Sequence, residues 1–232
     1  MDLDRNLRIR IDDTTAVSAI LDAPADSRAL YVFAHGAGAG MAHPFMQDVA
    51  AGLAARHVAV LRYQFPFMEQ ASKRTDAAPL AQAAVRAAVR CGATRVPDLP
   101  IHAGGKSFGA RMTSQAQAAS PLPGVVGLVF VGFPLHPAGK PSIARAAHLD
   151  AVDVPMLFVQ GTRDALAETD LMTPMVAALG PRATLLLLDD AGHGFHVRKS
   201  SGSDDETTLA TLLDTMAAWM LRPGNRAIPL NN

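Results

Sequence analysis

Cysteine is almost missing from this sequence: the 232 residues hold one, Cys91. A lone thiol cannot close an intramolecular disulfide, so a small disulfide-stapled fold is excluded and nothing points to an oxidising compartment. Excess charge is missing too, since 21 Lys and Arg stand against 21 Asp and Glu. A neutral chain lacks the electrostatic footprint that draws proteins to nucleic-acid phosphates or anionic lipid, so neither nucleic acid nor membrane is an expected partner. Long apolar runs are also lacking. The longest, Val125 to Leu135, is about half of the ~20 residues that a membrane-crossing helix needs. The opening Met1-Asp2-Leu3-Asp4-Arg5 is charged where a secretory signal would be apolar. The expectation from these absences is a soluble, cytoplasmic protein.

What is present is a composition of 49% hydrophobic and 18% charged residues, that of an ordered chain able to bury a core. Short β-branched apolar runs alternate with longer Ala-rich segments, the pattern of βα units wound around a mostly parallel sheet with helices on both faces. Strands are expected at Leu7–Ile11, Ala16–Leu21, Leu30–Ala34, Val58–Tyr63, Ile101–Gly104, Val125–Val131, Met156–Gln160 and Thr184–Leu188. The first two are close enough to pair antiparallel, and the later ones read as strands covered on both faces. Helices are expected at Pro44–Arg56, Pro79–Cys91, Phe108–Ala119, Asp170–Leu179 and Asp204–Leu221, the last opened by a capping box of Ser203 and Glu206. No linker or repeat divides the chain, so one α/β domain over residues 1–221 is expected, followed by a flexible tail at 222–232.

The chemically informative segment is Ile101-His102-Ala103-Gly104-Gly105-Lys106-Ser107-Phe108-Gly109-Ala110, an apolar strand that runs through Gly-x-Ser-x-Gly into a helix. A serine on so sharp a turn is held in a strained conformation with its hydroxyl projecting beside the helix N-terminus, and side chains at Gly105 or Gly109 would strike neighbouring backbone. The plainer reading is a glycine-rich turn whose serine merely caps the helix. A serine hydroxyl is a weak nucleophile and needs a base that is itself oriented by a third group. Asp164, in Gly161-Thr162-Arg163-Asp164, and His193, in Ala191-Gly192-His193-Gly194-Phe195, each follow an expected strand. The catalytic candidates are therefore Ser107, Asp164 and His193. Asp189 and Asp190 read better as turn residues, and His196 as a bystander.

Acyl transfer also needs N–H donors aimed at the developing oxyanion. The glycine-rich turn His35-Gly36-Ala37-Gly38-Ala39-Gly40 follows a strand and can supply one from Ala37, while Phe108, next after the serine, supplies the other. His35 then orients the loop. Other chemistries fail on spacing: a Walker loop would need Gly at position 100, which is Pro100, and a dinucleotide fingerprint would need Gly at positions held by Met41 or His43. No Cys pair or His-Glu-x-x-His accompanies the histidines, so neither a metal nor a cofactor is expected. Phe65, Phe67, Met68, Phe133, Leu135 and Phe195 fall at or just beyond expected strand ends, where α/β ligand sites lie, and are candidates for an apolar substrate pocket.

With these segments in view, residues 25 to 221 resemble small bacterial α/β-hydrolases of the dienelactone-hydrolase-like branch. The chain order Ser, Asp, His is the order of that fold, and Gly132-Phe133-Pro134-Leu135-His136-Pro137-Ala138-Gly139-Lys140-Pro141 is similar to a family loop beside the active site. The resemblance implies an α/β-hydrolase fold without a large lid domain, and an open site suited to small or soluble esters. Two features depart from it. Serine stands where dienelactone hydrolases proper use cysteine, so their substrate is not carried over, and Lys106 is an unusual neighbour for a nucleophile. The expected function is a serine carboxylesterase acting on a small-molecule ester. The alternative is a binding or scaffold protein that keeps the fold without turnover; the resemblance extends to animal relatives that serve in protein assemblies.

Overall fold

The computed structural model describes residues 5–223; the expected tail lies outside the described residues from 224 on. Eight strands form one sheet: β1 (Asn6–Arg10), β2 (Ala16–Asp22), β3 (Ala29–Ala34), β4 (Val58–Tyr63), β5 (Ile101–Lys106), β6 (Val125–Val131), β7 (Met156–Gly161) and β8 (Ala183–Leu188), in the spatial order β1-β2-β4-β3-β5-β6-β7-β8. β1 pairs antiparallel with β2 and β2 with β4, and every later pairing is parallel. All eight expected strands are present within two residues at each end. The edge strand β8 departs from expectation, because most of it is only half-buried.

Strand side chains alternate between two cores, as the period of two requires. Leu30, Val32, Leu128, Phe130, Met156 and Phe158 face one side, where they meet α3 (Ala78–Arg95), α4 (Phe108–Ala119) and α5 (Thr169–Ala178). Tyr31, Phe33, Val129, Val131, Leu157 and Val159 face the other, against α1 (Pro44–Ala54) and α6 (Asp205–Met220). The short α2 (Pro66–Glu69) lies on the first side. In α3 the buried Ala81, Ala84, Val85, Ala88, Val89 and Gly92 fall on one stripe of a 3.6-residue repeat, and mostly small side chains let the helix lie close to the sheet.

Several details of the helices differ from expectation. α3 runs on to Arg95 because Gly92 is carried inside the helix. α6 is capped by Asp204, whose carboxylate accepts from the Thr207 amide at 2.7 Å, so the expected box of Ser203 and Glu206 is not formed; an ionised acceptor complements a helix N-terminus better than a hydroxyl. The Pro-, Gly- and Ala-rich stretch between β6 and β7 holds an unexpected 3₁₀ helix, Ala144–Ala151.

The parallel register decides where chemistry can occur. Ala34 lies beside Gly105, Lys106 beside Val131, Val131 beside Val159, and Gly161 beside Leu188. The carboxyl ends of β3, β5, β6, β7 and β8 therefore finish at one rim, and the loops leaving them meet there. At β5 the approach is unusually close. A Cβ on Gly105 would lie 2.6 Å from the Ala34 carbonyl oxygen, and one on Gly109 would lie 2.5 Å from the same atom, so both residues lack side chains for steric reasons. Gly109→Ala should therefore lower stability by about 1–3 kcal/mol in chemical denaturation, while Gly202→Ala, where an added Cβ meets nothing within 4 Å, should leave it unchanged. Equal stability of the two variants would contradict this packing.

Candidate active site

Ser107 stands between β5 and α4 with φ 52° and ψ −109°, in a region that a non-glycine residue occupies only under strain. Its hydroxyl makes no cap to the helix; it lies 2.9 Å from Nε2 of His193. Nδ1 of the same ring is 2.6 Å from Oδ2 of Asp164. An ionised carboxylate only accepts, so the geometry places the proton on Nδ1 and leaves the Nε2 lone pair toward the serine hydroxyl. Asp164 is 2% exposed. Its Oδ1 accepts from the Leu166 amide at 2.8 Å and its Oδ2 also accepts from Nε2 of Gln160 at 2.5 Å, which fixes the carboxylate plane. Three side chains from separate loops are thus joined in one hydrogen-bonded chain.

The turn after β3 passes directly over the serine: a Cβ built on Gly36 would sit 3.7 Å from Ser107 Cβ. Ala37 is exposed at this turn, and neither its amide nor that of Phe108 donates to another protein group among the described residues. Ala37 lines one cleft with Ser107, and Phe108 follows the serine in the chain. His35 is fully buried and holds the turn: Nδ1 donates to the Gly36 carbonyl at 2.7 Å, and Nε2 accepts from the Phe65 amide at 3.0 Å. Those two partners require the neutral ring, and burial pushes its pKa down to about 4.

Beside Ser107 opens a cleft of about 700 Å³ whose walls include Ala37, Phe45, Met46, Phe195 and Leu209. Of the six expected pocket residues only Phe195 lines it. Phe65, Phe67, Phe133 and Leu135 are buried in the core, and Met68 packs against that core. Their place has a physical reason, since Phe65 and Phe67 pack edge-on against His35 with ring centroids 5.0 and 5.6 Å away, and Phe65 also meets Phe108 at 5.2 Å. These rings underpin the glycine-rich turn rather than wall the cleft. Phe45, which stacks on Phe195 at 5.7 Å, and Leu209 went unrecognised as site residues. Phe45 carried a signal, being the second residue of the helix that follows the turn, and so did Gln160, the one polar residue in an apolar strand.

The remaining polar groups have other partners, His196 and Asp205 doing so at the edge of the same cleft. Asp190 is bound by Arg198, at 2.5 Å, and by Arg163, and His196 pairs with Asp205 at 2.7 Å. His136, in the loop after β6, pairs with Glu168. Among the described residues no group of three or more His, Cys, Asp or Glu is placed to hold a metal, and no helix is long and apolar enough to cross a membrane. A larger hollow, of about 920 Å³, opens near Arg5, Asp22 and Arg95, away from all of these groups.

A family described as alpha/beta hydrolase domain matches residues 27–221. The chain belongs to the α/β-hydrolase family. Solved structures with this fold include an alpha-beta serine hydrolase homologue from Coxiella burnetii, 16% identical with TM-score 0.73, covering 95% of this chain and 99% of that one. A dienelactone hydrolase from Anabaena variabilis is 18% identical with TM-score 0.74, covering 94% and 98%. A serine hydrolase without a lid from Xanthomonas campestris is 18% identical with TM-score 0.72, covering 99% and 98%. No curated protein matches the sequence. Like the Xanthomonas protein, this α/β-hydrolase is small and lidless: the chain between β6 and β7 folds back onto α4, where Ser114 Oγ meets Nε2 of His148 at 2.8 Å.

The buried histidines make acid stability a check on the site's scaffold. His35 and the fully buried His102, which bonds to the Met220 carbonyl at 3.1 Å, both have pKa values pushed down to about 4 by burial. Between about pH 6.5 and 4 the unfolded chain binds protons that the folded chain refuses, so stability present above this window falls as pH is lowered through it. Urea titrations from pH 7 to 4 should show a loss of up to about 3 kcal/mol per histidine, and His102→Gln should flatten the dependence. A stability independent of pH over this range would contradict the neutral, buried assignment.

Proposed function

We propose that this α/β-hydrolase is a serine hydrolase of the carboxylesterase type, acting on small or soluble esters. The observation that carries the reading is the unbroken hydrogen-bonded series Ser107–His193–Asp164 at the mouth of a cleft. In the proposed cycle His193 takes the Ser107 proton as the oxygen attacks the ester carbonyl. The amides of Ala37 and Phe108 stabilise the tetrahedral oxyanion, and the imidazolium returns the proton to the leaving alcohol. Water then repeats the sequence on the acyl-enzyme. Asp164 fixes the ring's tautomer and stabilises its charged form. No step calls for a cofactor. The apolar wall of Phe45, Met46, Phe195 and Leu209 suits the non-polar part of a substrate, and the lack of a lid favours dissolved molecules over lipid aggregates. Neighbours of the same fold include an esterase from Pyrococcus furiosus, at 15% identity, which agrees with the reaction class without selecting a substrate. The compartment proposed is the cytoplasm.

A fluorophosphonate probe tests the reading. Wild type should be labelled and Ser107→Ala should not; a folded wild type that stays unlabelled would favour the binding or scaffold role. Asp164→Asn should keep the fold yet lower kcat on a short p-nitrophenyl ester roughly 10³–10⁴-fold, by losing the correct tautomer.

A further inference from the structure

We propose that Lys106 is a positioning residue for the reaction, one that ties the loop carrying His193 to the strand carrying Ser107. The proposal rests on the reading of His193 as the base. Lys106 is the last residue of β5, immediately before Ser107, and its ammonium reaches across the floor of the cleft to donate to the backbone carbonyl of His193 at 2.5 Å. It therefore joins the two halves of the proton-transfer pair through their own backbones. The rest of the loop is held by its ends, with the Arg163 amide donating to Ala191 at 2.9 Å and the Gly192 amide to His196 at 3.0 Å. The tie at His193 itself comes from Lys106.

The surroundings are built around this ammonium. The rings of Phe195 and Phe45 lie over Nζ, with centroids 5.0 and 5.9 Å away, close enough for cation–π attraction. Gly132, at φ +67°, leaves the space that Nζ fills, since a Cβ there would lie 2.8 Å from Nζ and 3.5 Å from the His193 ring. The charged and titratable groups around the cleft are Asp164 at the end of β7, His193 and His196 after β8, His43 and Asp48 at the start of α1, and Asp205 on α6. Burial outweighs the attraction of Asp164 and pushes the lysine pKa down to about 8. The ammonium is thus charged at neutral pH and loses its proton a little above it. A charged donor makes a bond to a carbonyl about twice as strong as a neutral one, so loss of that proton loosens the tie.

The test measures kcat/KM on p-nitrophenyl acetate, the rate of fluorophosphonate labelling, and Tm, from pH 6 to 10, for wild type, Lys106→Met and Lys106→Arg. Lys106→Met should lose roughly ten- to a hundredfold in kcat and in labelling rate with KM little changed. Its Tm should be equal or higher, because a buried charge has been exchanged for an apolar chain. Wild type should decline as pH rises through about 8, whereas Lys106→Arg, which stays charged, should hold its rate there. Gly132→Ala, which pushes the ammonium from its seat without altering it, should reproduce the rate loss even if the arginine variant does not fold. A labelled wild type together with a Lys106→Met enzyme within twofold of it at neutral pH overturns the proposal alone. So does an alkaline decline that is identical in wild type and a folded Lys106→Arg. An unlabelled wild type overturns the hydrolase reading, and this role with it.

Discussion

The chemistry of the site depends on a close approach between backbones. Where β5 turns into α4, Gly105 and Gly109 both press on the end of β3 at Ala34, at distances that leave no room for a Cβ. That approach forces the reversal at Ser107 and its left-handed φ of 52°, a conformation that costs on the order of 1–3 kcal/mol. The cost is offset by two sheet cores that pack the elements on either side, so the strain is borne by the scaffold. In return the hydroxyl stands clear of the helix that follows it, at the rim where six parallel strands end.

Everything functional at this rim depends on loops that are tied both to the scaffold and to one another. His35 pins the glycine-rich turn from below, through two hydrogen bonds that leave its ring neutral, and phenylalanines pack its faces and edges. Gln160 and the Leu166 amide orient Asp164 before any imidazole is considered. Lys106 adds the link between the serine strand and the histidine loop. The pattern is one of preorganisation: donors and acceptors are fixed beforehand, so that little has to reorganise when charge develops.

Much of this was legible in the sequence, for reasons that differ by level. Strand positions were clear because continuous β-branched runs such as Val125–Val131 and Val58–Tyr63 have few other uses in an alternating α/β pattern. Ser107, Asp164 and His193 stood out because each follows a strand within a short glycine-bearing loop, and the structure brings them into one hydrogen-bonded series. The cleft wall was not legible. Phe65 and Phe67 follow a strand end just as a pocket residue would, and only the packing shows that they turn inward beneath His35 while Phe45 turns to the cleft. The cap of α6 shifted by one residue for a similar reason, since Ser203 and Asp204 are both good caps and local sequence does not decide between neighbours.

The central claim is that Ser107 and His193 act as one unit, and a double-mutant cycle on ester hydrolysis tests it most directly. With Ser107→Ala, His193→Ala and the double variant compared on kcat/KM, the account predicts that the double variant is no slower than the slower single variant, because removing either member already abolishes the attack. Losses that multiply would show two residues contributing independently and would contradict it.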